Sequence, residues 1–151
     1  MVWCGVSILK KFIMIFMIVF TLYGDVLSKI KAQIILNIAH LITDKSVVKI
    51  YVDDPDFMDI FKDSDKIKRV TNCFQADLII TKDSKSMLKL CNKHQHHVNI
   101  ISTTYKDYKQ NKDVSFGAFF WQKGRANMLL NSKIIQKEDI NIPQSYQKYL
   151  D

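Results

Sequence analysis

Ala76 to Ser102 reads ADLIITKDSKSMLKLCNKHQHHVNIIS, and its rhythm sets the fold. Leu78, Ile79 and Ile80 form a continuous apolar run, short and rich in β-branched side chains. Ala76–Thr81 is therefore expected to be a strand buried on both faces. Lys82-Asp83-Ser84 is a turn with a helix N-cap, and Ser84 to Lys93 turns Met87, Leu88 and Cys91 inward at helical spacing. Val98 to Ser102 is again a short apolar run and a second buried strand. Strands alternating with helices in this way predict parallel βαβ units.

Upstream, Lys66–Thr71 is a short edge-like strand with Ile67 and Val70 as its apolar positions. Val47–Val52 is a β-branched strand that runs into Asp53-Asp54-Pro55-Asp56. Pro55 suits the first turn of a short helix, Pro55–Phe61, with Asp54 as its N-cap. Those carboxylates could also bind a cation, but capping a helix and favouring its positive end accounts for them more simply. Lys29–Thr43 places Ile30, Ile34, Ile38 and Ile42 four apart, the stripe of an amphipathic helix.

Downstream, Thr103–Asp113 is polar and predicts one helical turn and a loop. Val114 to Asn131, VSFGAFFWQKGRANMLLN, puts two apolar, aromatic-rich runs around Gln122-Lys123-Gly124-Arg125 and predicts a β-hairpin. Gly124 can supply a positive φ, and Lys123 and Arg125 keep the tip in water. Six near-consecutive apolar residues predict that the hairpin sits within a covered sheet as part of the core. Ser132–Glu138 follows as a helical turn, and Pro143–Leu150 as a terminal helix packing Tyr146, Tyr149 and Leu150. The expected architecture is one small α/β domain with a mixed, mostly parallel sheet, helices on both faces and a late β-hairpin.

At 151 residues there is room for one such domain, and 48% hydrophobic with 25% charged residues excludes a disordered chain. Lys10 and Lys11 precede the apolar run Phe12–Tyr23, which ends at Gly24-Asp25; Val26 and Ser28 fit a small-residue cleavage pattern. This is the layout of a secretory signal peptide over residues 1–28, with the domain over 29–151 and a periplasmic address. A run of 12 is shorter than the roughly 20 residues of a spanning helix, so a retained anchor is the weaker account. Removal of residues 1–28 changes the net charge from +7 to +6, with the cations scattered. Nucleic acid is not an expected partner.

Chemistry is sparse. No nucleophile elbow and no glycine-rich phosphate loop occur, no cofactor is implied, and an enzyme is not expected. In a parallel sheet Asp53, Thr81, Ser84, Ser102, Thr103 and Thr104 gather at the strand C-terminal ends, where a small anion or solute would sit. Tyr105, Tyr108, Lys123 and Arg125 are candidate contacts for a protein partner. His94, His96 and His97 could hold zinc, copper or nickel, but their spacing matches no closed site and a solvated connector is the simpler account. Cys73 and Cys91 remain after the leader, and in an oxidising compartment an even pair points to one disulfide.

The mature chain resembles the YfiR family of periplasmic proteins. Its first helix echoes a KAxxLxNxAxxI pattern through Lys31-Ala32, Leu36-Asn37, Ala39 and Ile42. A strand then runs into an acidic turn, Val48–Asp54, Cys73 stands ahead of a buried strand, and a late hairpin precedes a C-terminal helix. The hairpin FFWQKGRANML departs from the family's more charged pair, its late-strand Asn is matched at best by Asn131, and the second family disulfide has no counterpart. The resemblance implies a repressor that holds a membrane diguanylate cyclase inactive through its periplasmic sensor, with cysteine redox state affecting that hold. Only Cys73 and Cys91 can carry such a role. A helix retraces only part of its strand, so closing this pair requires an irregular Asn72–Gln75 segment; the sequence leaves the bond open.

Overall fold

The computed structural model describes residues 26–62, 64–91 and 99–151. Six strands form one sheet in the order β2-β1-β3-β4-β5-β6: β1 Val48–Val52, β2 Ile67–Arg69, β3 Leu78–Thr81, β4 Asn99–Ser102, β5 Gly117–Gln122 and β6 Arg125–Leu130. Neighbours from β2 through β5 pair in parallel, and β5–β6 is antiparallel. The α/β alternation read around Ala76–Ser102 is thus the fold itself.

Among the described residues helix α1 covers 26–42, so it already includes residues upstream of the predicted Lys29 start. Its Ile35, Leu36, Ile38 and Ala39 cover one sheet face, meeting Val48, Ile50, Val52, Leu78, Ile80, Ile101, Phe119 and Leu130. These sheet residues alternate along their strands because successive strand side chains point to opposite faces. On the other face α2 (Ser84–Cys91) packs Met87 and Cys91 on Ile79 and Ile100. There α3 (Tyr105–Gln110) places Tyr108 on Ala118 and Phe120. Both faces are therefore covered, which is why β3 and β4 read as unbroken apolar runs rather than alternating ones.

The hairpin turns through Lys123 at φ 52° and Gly124 at φ 72°, the two-residue form in which both central residues are left-handed. Gly124 meets its expected role, and Lys123 shares it. Two expectations need correcting. The hairpin does not lie inside the sheet: β5 is interior and β6 is the edge. Nor is it core throughout, since β5 is buried from Gly117 to Phe120 and exposed at Trp121 and Gln122. The reason is register: β4 pairs β5 only at Ile101↔Gly117 and Ser102↔Ala118, so Phe119–Gln122 run on past the end of β4. Glycine at 117 is required by close strand approach, because a Cβ there would stand 2.4 Å from the Leu129 carbonyl oxygen.

Helix α4 (Ser132–Lys137) is capped by fully buried Asn131, whose Oδ1 accepts from the amides of Lys133 and Ile134. Its Nδ2 donates to the carbonyls of Ser115 (3.0 Å) and Lys112, tying β6, α4 and the loop before β5 to one side chain. The terminal helix is a 3₁₀ turn, Gln144–Tyr149. Tyr146 and Tyr149 pack against the core as expected, whereas Leu150 is exposed and bridges Leu130 at the sheet edge.

Cys73 and Cys91 are disulfide-bonded with their Cα atoms 5.8 Å apart. The irregular segment that closure demanded is present as the 3₁₀ turn Cys73–Gln75, capped by Asn72 Oδ1 accepting from the Phe74 amide at 3.0 Å. It brings Cys73 to the sheet face where α2 ends.

Candidate functional site at the strand C-terminal ends

The sheet order reverses between β1 and β3, so the crevice at their C-terminal ends is where this architecture usually receives ligands. Parallel pairing does assemble the expected group there. Asp53 donates its amide to the Ile80 carbonyl at 2.9 Å, and Thr103 donates its amide to the Thr81 carbonyl at 2.9 Å. Asp53, Thr81, Ser84, Ser102, Thr103 and Thr104 thus share one end of the molecule.

Their side chains are occupied with one another. Thr81 Oγ1 donates to Asp53 Oδ2 at 3.0 Å and accepts from the Asp83 amide at 3.0 Å. Thr103 Oγ1 donates to Asp54 Oδ2 at 2.6 Å, while Asp54 Oδ1 accepts from the Asp56 amide at 3.0 Å, the cap expected for the turn Pro55–Phe57. Ser102 Oγ donates to the Thr104 carbonyl at 2.9 Å, and Thr104 Oγ1 accepts from the Asp107 amide at 3.1 Å. Thr81, Ser84, Ser102 and Thr103 are buried, as is Asp54. Buried polar groups satisfied in this way act as a brace.

The residue at the centre of this brace is Asp107. Its buried carboxylate, held in the first turn of α3, accepts from the Ser84 amide at 3.2 Å, from the Ser84 hydroxyl and from Asn111 Nδ2 at 2.7 Å. The N-terminus of α2, which attracts anions, therefore already holds one supplied by the protein. Asp83 caps the same helix from outside by accepting from the Ser86 amide at 3.0 Å. Hydrogen bonding to Ser86 holds the Asp83 carboxyl below the usual carboxylate range. Sequence reasoning passed over Asp107. The available signal was Thr104-Tyr105-Lys106-Asp107, the Thr-x-x-acid spacing of a capping box. Here the acid reaches across to a neighbouring helix, which no local pattern reveals.

Two concavities of about 510 Å³ and 280 Å³ lie elsewhere. One separates α1 from the Asp59–Lys66 loop; the other lies between α1, Met128 and the terminal 3₁₀ turn. Neither is lined by the strand-end hydroxyls.

The hairpin overhang shares this end of the molecule. Phe119 meets Phe57 edge-on at 6.0 Å, and Phe120 meets Tyr105 at 5.6 Å. Lys31 of α1 places its ammonium 5.3 Å from the Phe57 ring and 5.8 Å from exposed Trp121, a cation held between two aromatics. At the tip, Lys123 and Arg125 are exposed, and neither cationic group bonds to a described residue. Tyr105 is exposed as a contact residue must be, with Lys109 5.8 Å from its ring. Tyr108 is not: it is fully buried against Ala118 and Phe120 of β5, one turn further along the same face of α3, whereas Tyr105 at the helix start lies beside the Phe120 ring and stays exposed. Burial, together with the nearby Asp151 carboxylate, pushes its hydroxyl above the usual range. His94, His96 and His97 lie outside the described residues, and among the described residues no His, Cys, Asp and Glu side chains group as a metal site. Comparison with family models, curated proteins and solved structures returns no match.

Proposed function

We propose that this chain is an exported α/β domain that acts by protein–protein contact, with the β5–β6 hairpin as its contact element. Its partner is a signalling protein of the inner membrane, and the domain acts as a repressor of a diguanylate cyclase or similar sensor. The observation that carries this reading is the overhang. Trp121, Lys123 and Arg125 stand beyond the last residue of β4 on a two-stranded projection, with the ring and both charges exposed. Tryptophan and arginine are the side chains that anchor interfaces most often. The alternative, a solute held at the strand ends, would need Thr81, Ser84 and Thr103 to surrender bonds they make to Asp53, Asp107 and Asp54. Affinity capture of the full chain from detergent-solubilised membranes, beside an Arg125→Ala variant, tests the proposal. Recovery of a membrane signalling protein by the wild type and its loss in the variant is the expected result. No specific membrane protein, or equal recovery by both, overturns it.

A further inference from the structure

We propose that the free edge of β6 is a docking groove for an extended, acidic peptide, which adds to the sheet as a seventh strand and seats one large apolar side chain beside Met128. The two edges of the sheet differ. β2 has three residues, two of them cationic, and an edge so short and charged resists further pairing. β6 has six residues in continuous register with β5, with no proline or bulge and a single charge at Arg125.

Register says which backbone groups are open. Asn131 donates its amide to the Phe116 carbonyl at 2.9 Å, which sets the alternation of the antiparallel ladder. Counting back in twos, Leu129, Asn127 and Arg125 turn their N–H and C=O toward β5, while Leu130, Met128 and Ala126 turn theirs outward. Leu130 is engaged by the chain itself: its carbonyl accepts from the Asp151 amide at 2.9 Å, and Leu150 bridges it in parallel. One rung of an added strand is thus already in place. No described residue bonds the main-chain N–H or C=O of Ala126 or Met128, so two donors and two acceptors alternate along the rest of the edge, the pattern an extended peptide satisfies.

A second, independent observation lies at the same edge. The concavity of about 280 Å³ is lined by Met128 of β6, Ile34 and Asn37 of α1, and Tyr146, Lys148 and Tyr149 of the terminal turn. Met128 and Leu130 both pack toward α1, so every second residue of an added strand points to that side and one of them meets the concavity. Its volume falls below the roughly 300–1,000 Å³ of sites for drug-sized ligands and suits a single large side chain. Tyr146 and Tyr149, with ring centroids 6.2 Å apart, give it aromatic walls.

Charge selects the rest of the peptide. Lys148 lines the concavity, its ammonium 4.9 Å from the Tyr149 ring, and exposed Arg125 stands on the opposite face of β6 with Asn127 and Leu129. Among the described residues no Asp or Glu belongs to β6 or lines the concavity. An incoming strand therefore meets a cation on each face and no carboxylate, which favours acidic side chains. The groove needs only β6, α1 and the terminal turn, so it stands apart from the identity of the membrane partner.

The test is fluorescence anisotropy of a labelled synthetic heptapeptide, Glu-Val-Glu-Phe-Glu-Val-Glu, titrated with the full chain; its alternation puts the apolar side chains on one face. Saturable binding with a Kd below about 1 mM is expected. Ala126→Pro is expected to weaken it about tenfold or more, because the ring removes an outward donor and fills the space of the added strand. Pairing with β5 survives that change, since the Ala126 N–H points away from β5 and its side chain is exposed. Replacing the peptide's Phe with Gly, or each Glu with Lys, is expected to cost about tenfold as well. No saturation up to about 1 mM, or equal affinity for the Ala126→Pro chain or the lysine peptide, overturns the proposal. So does a dimer that Ala126→Pro dissolves and that takes up no peptide, which would give the edge to a second copy. The probe is a free peptide, so this outcome is independent of the membrane capture.

Discussion

Replacing Asp107 with Ala removes an anion from the point where α2, α3 and the strand ends meet, and the cost follows from its bonds. Three donors lose their acceptor: the Ser84 amide, the Ser84 hydroxyl and Asn111 Nδ2. Ser84 is fully buried, so water cannot replace the lost partner without opening the site. A buried donor left unsatisfied costs about 1–3 kcal/mol, and an uncapped helix start about 1 kcal/mol. Asn111 is half-buried and turns to water at little cost. With the Ser84 hydroxyl as the buried donor and its amide as the lost cap, the sum is about 2–4 kcal/mol, a large share of the roughly 5–15 kcal/mol that holds a domain of this size. Helix α2, eight residues long, is too short to persist without its caps and packing. Asp107→Asn keeps one acceptor oxygen and loses the charge, so about half the penalty is expected. Urea unfolding of both variants followed by far-UV circular dichroism, with the disulfide intact, gives the comparison. A loss below about 1 kcal/mol for Asp107→Ala refutes the view that this carboxylate organises the strand ends.

Lys123→Asn is expected to stabilise the protein by about 0.5–1 kcal/mol, because Asn tolerates the left-handed backbone that Lys holds here at φ 52°; an unfolding midpoint that does not rise removes the claim of strain at the tip. Cys73→Ser with Cys91→Ser opens a link across 18 residues and is expected to cost about 3 kcal/mol; a thermal midpoint insensitive to the change would show that the bond adds nothing. Lys112 pairs with the Asp151 side chain at 2.9 Å and holds that carboxyl below its ordinary value of 3.8. A lowered folded-state pKa stabilises above the unfolded value and is lost as pH falls through the folded one. Amide exchange at Asp151, whose N–H bonds the Leu130 carbonyl, should therefore accelerate as pH falls below the ordinary carboxyl value of 3.8, beyond the intrinsic pH dependence of exchange. It should lose that extra acceleration in Lys112→Ala, and an identical profile in the variant would disprove the coupling.

Much of the architecture was legible because it is written locally. The β-branched runs at Val48–Val52, Leu78–Thr81 and Asn99–Ser102 can be buried on both faces only inside a covered sheet, and the helical stripe of α1 can be hidden only against one. Asp54 before Pro55 and Gly124 in the turn are equally local, since each bonds or bends within a few residues. Proximity at the strand ends was legible too, as a consequence of parallel pairing. Whether those hydroxyls would be free or engaged was not, because Thr103 meets Asp54 across 49 residues and Ser84 meets Asp107 across 23. The same limit separates Tyr105 from Tyr108, two phenols on one face of a six-residue helix whose fates depend on where along β5 each one lands.

The sequence by itself determined the α/β alternation, the caps and the turn residues, because periodicity and backbone preference act over a few neighbours. Only the tertiary structure decided that Asp107 fills the N-terminus of α2, that the turn at Cys73–Gln75 closes the disulfide, and that Trp121 stands past the end of β4. Each of these depends on how far one strand outruns another or where a helix ends in space, and such offsets accumulate over whole elements rather than residing in any one of them.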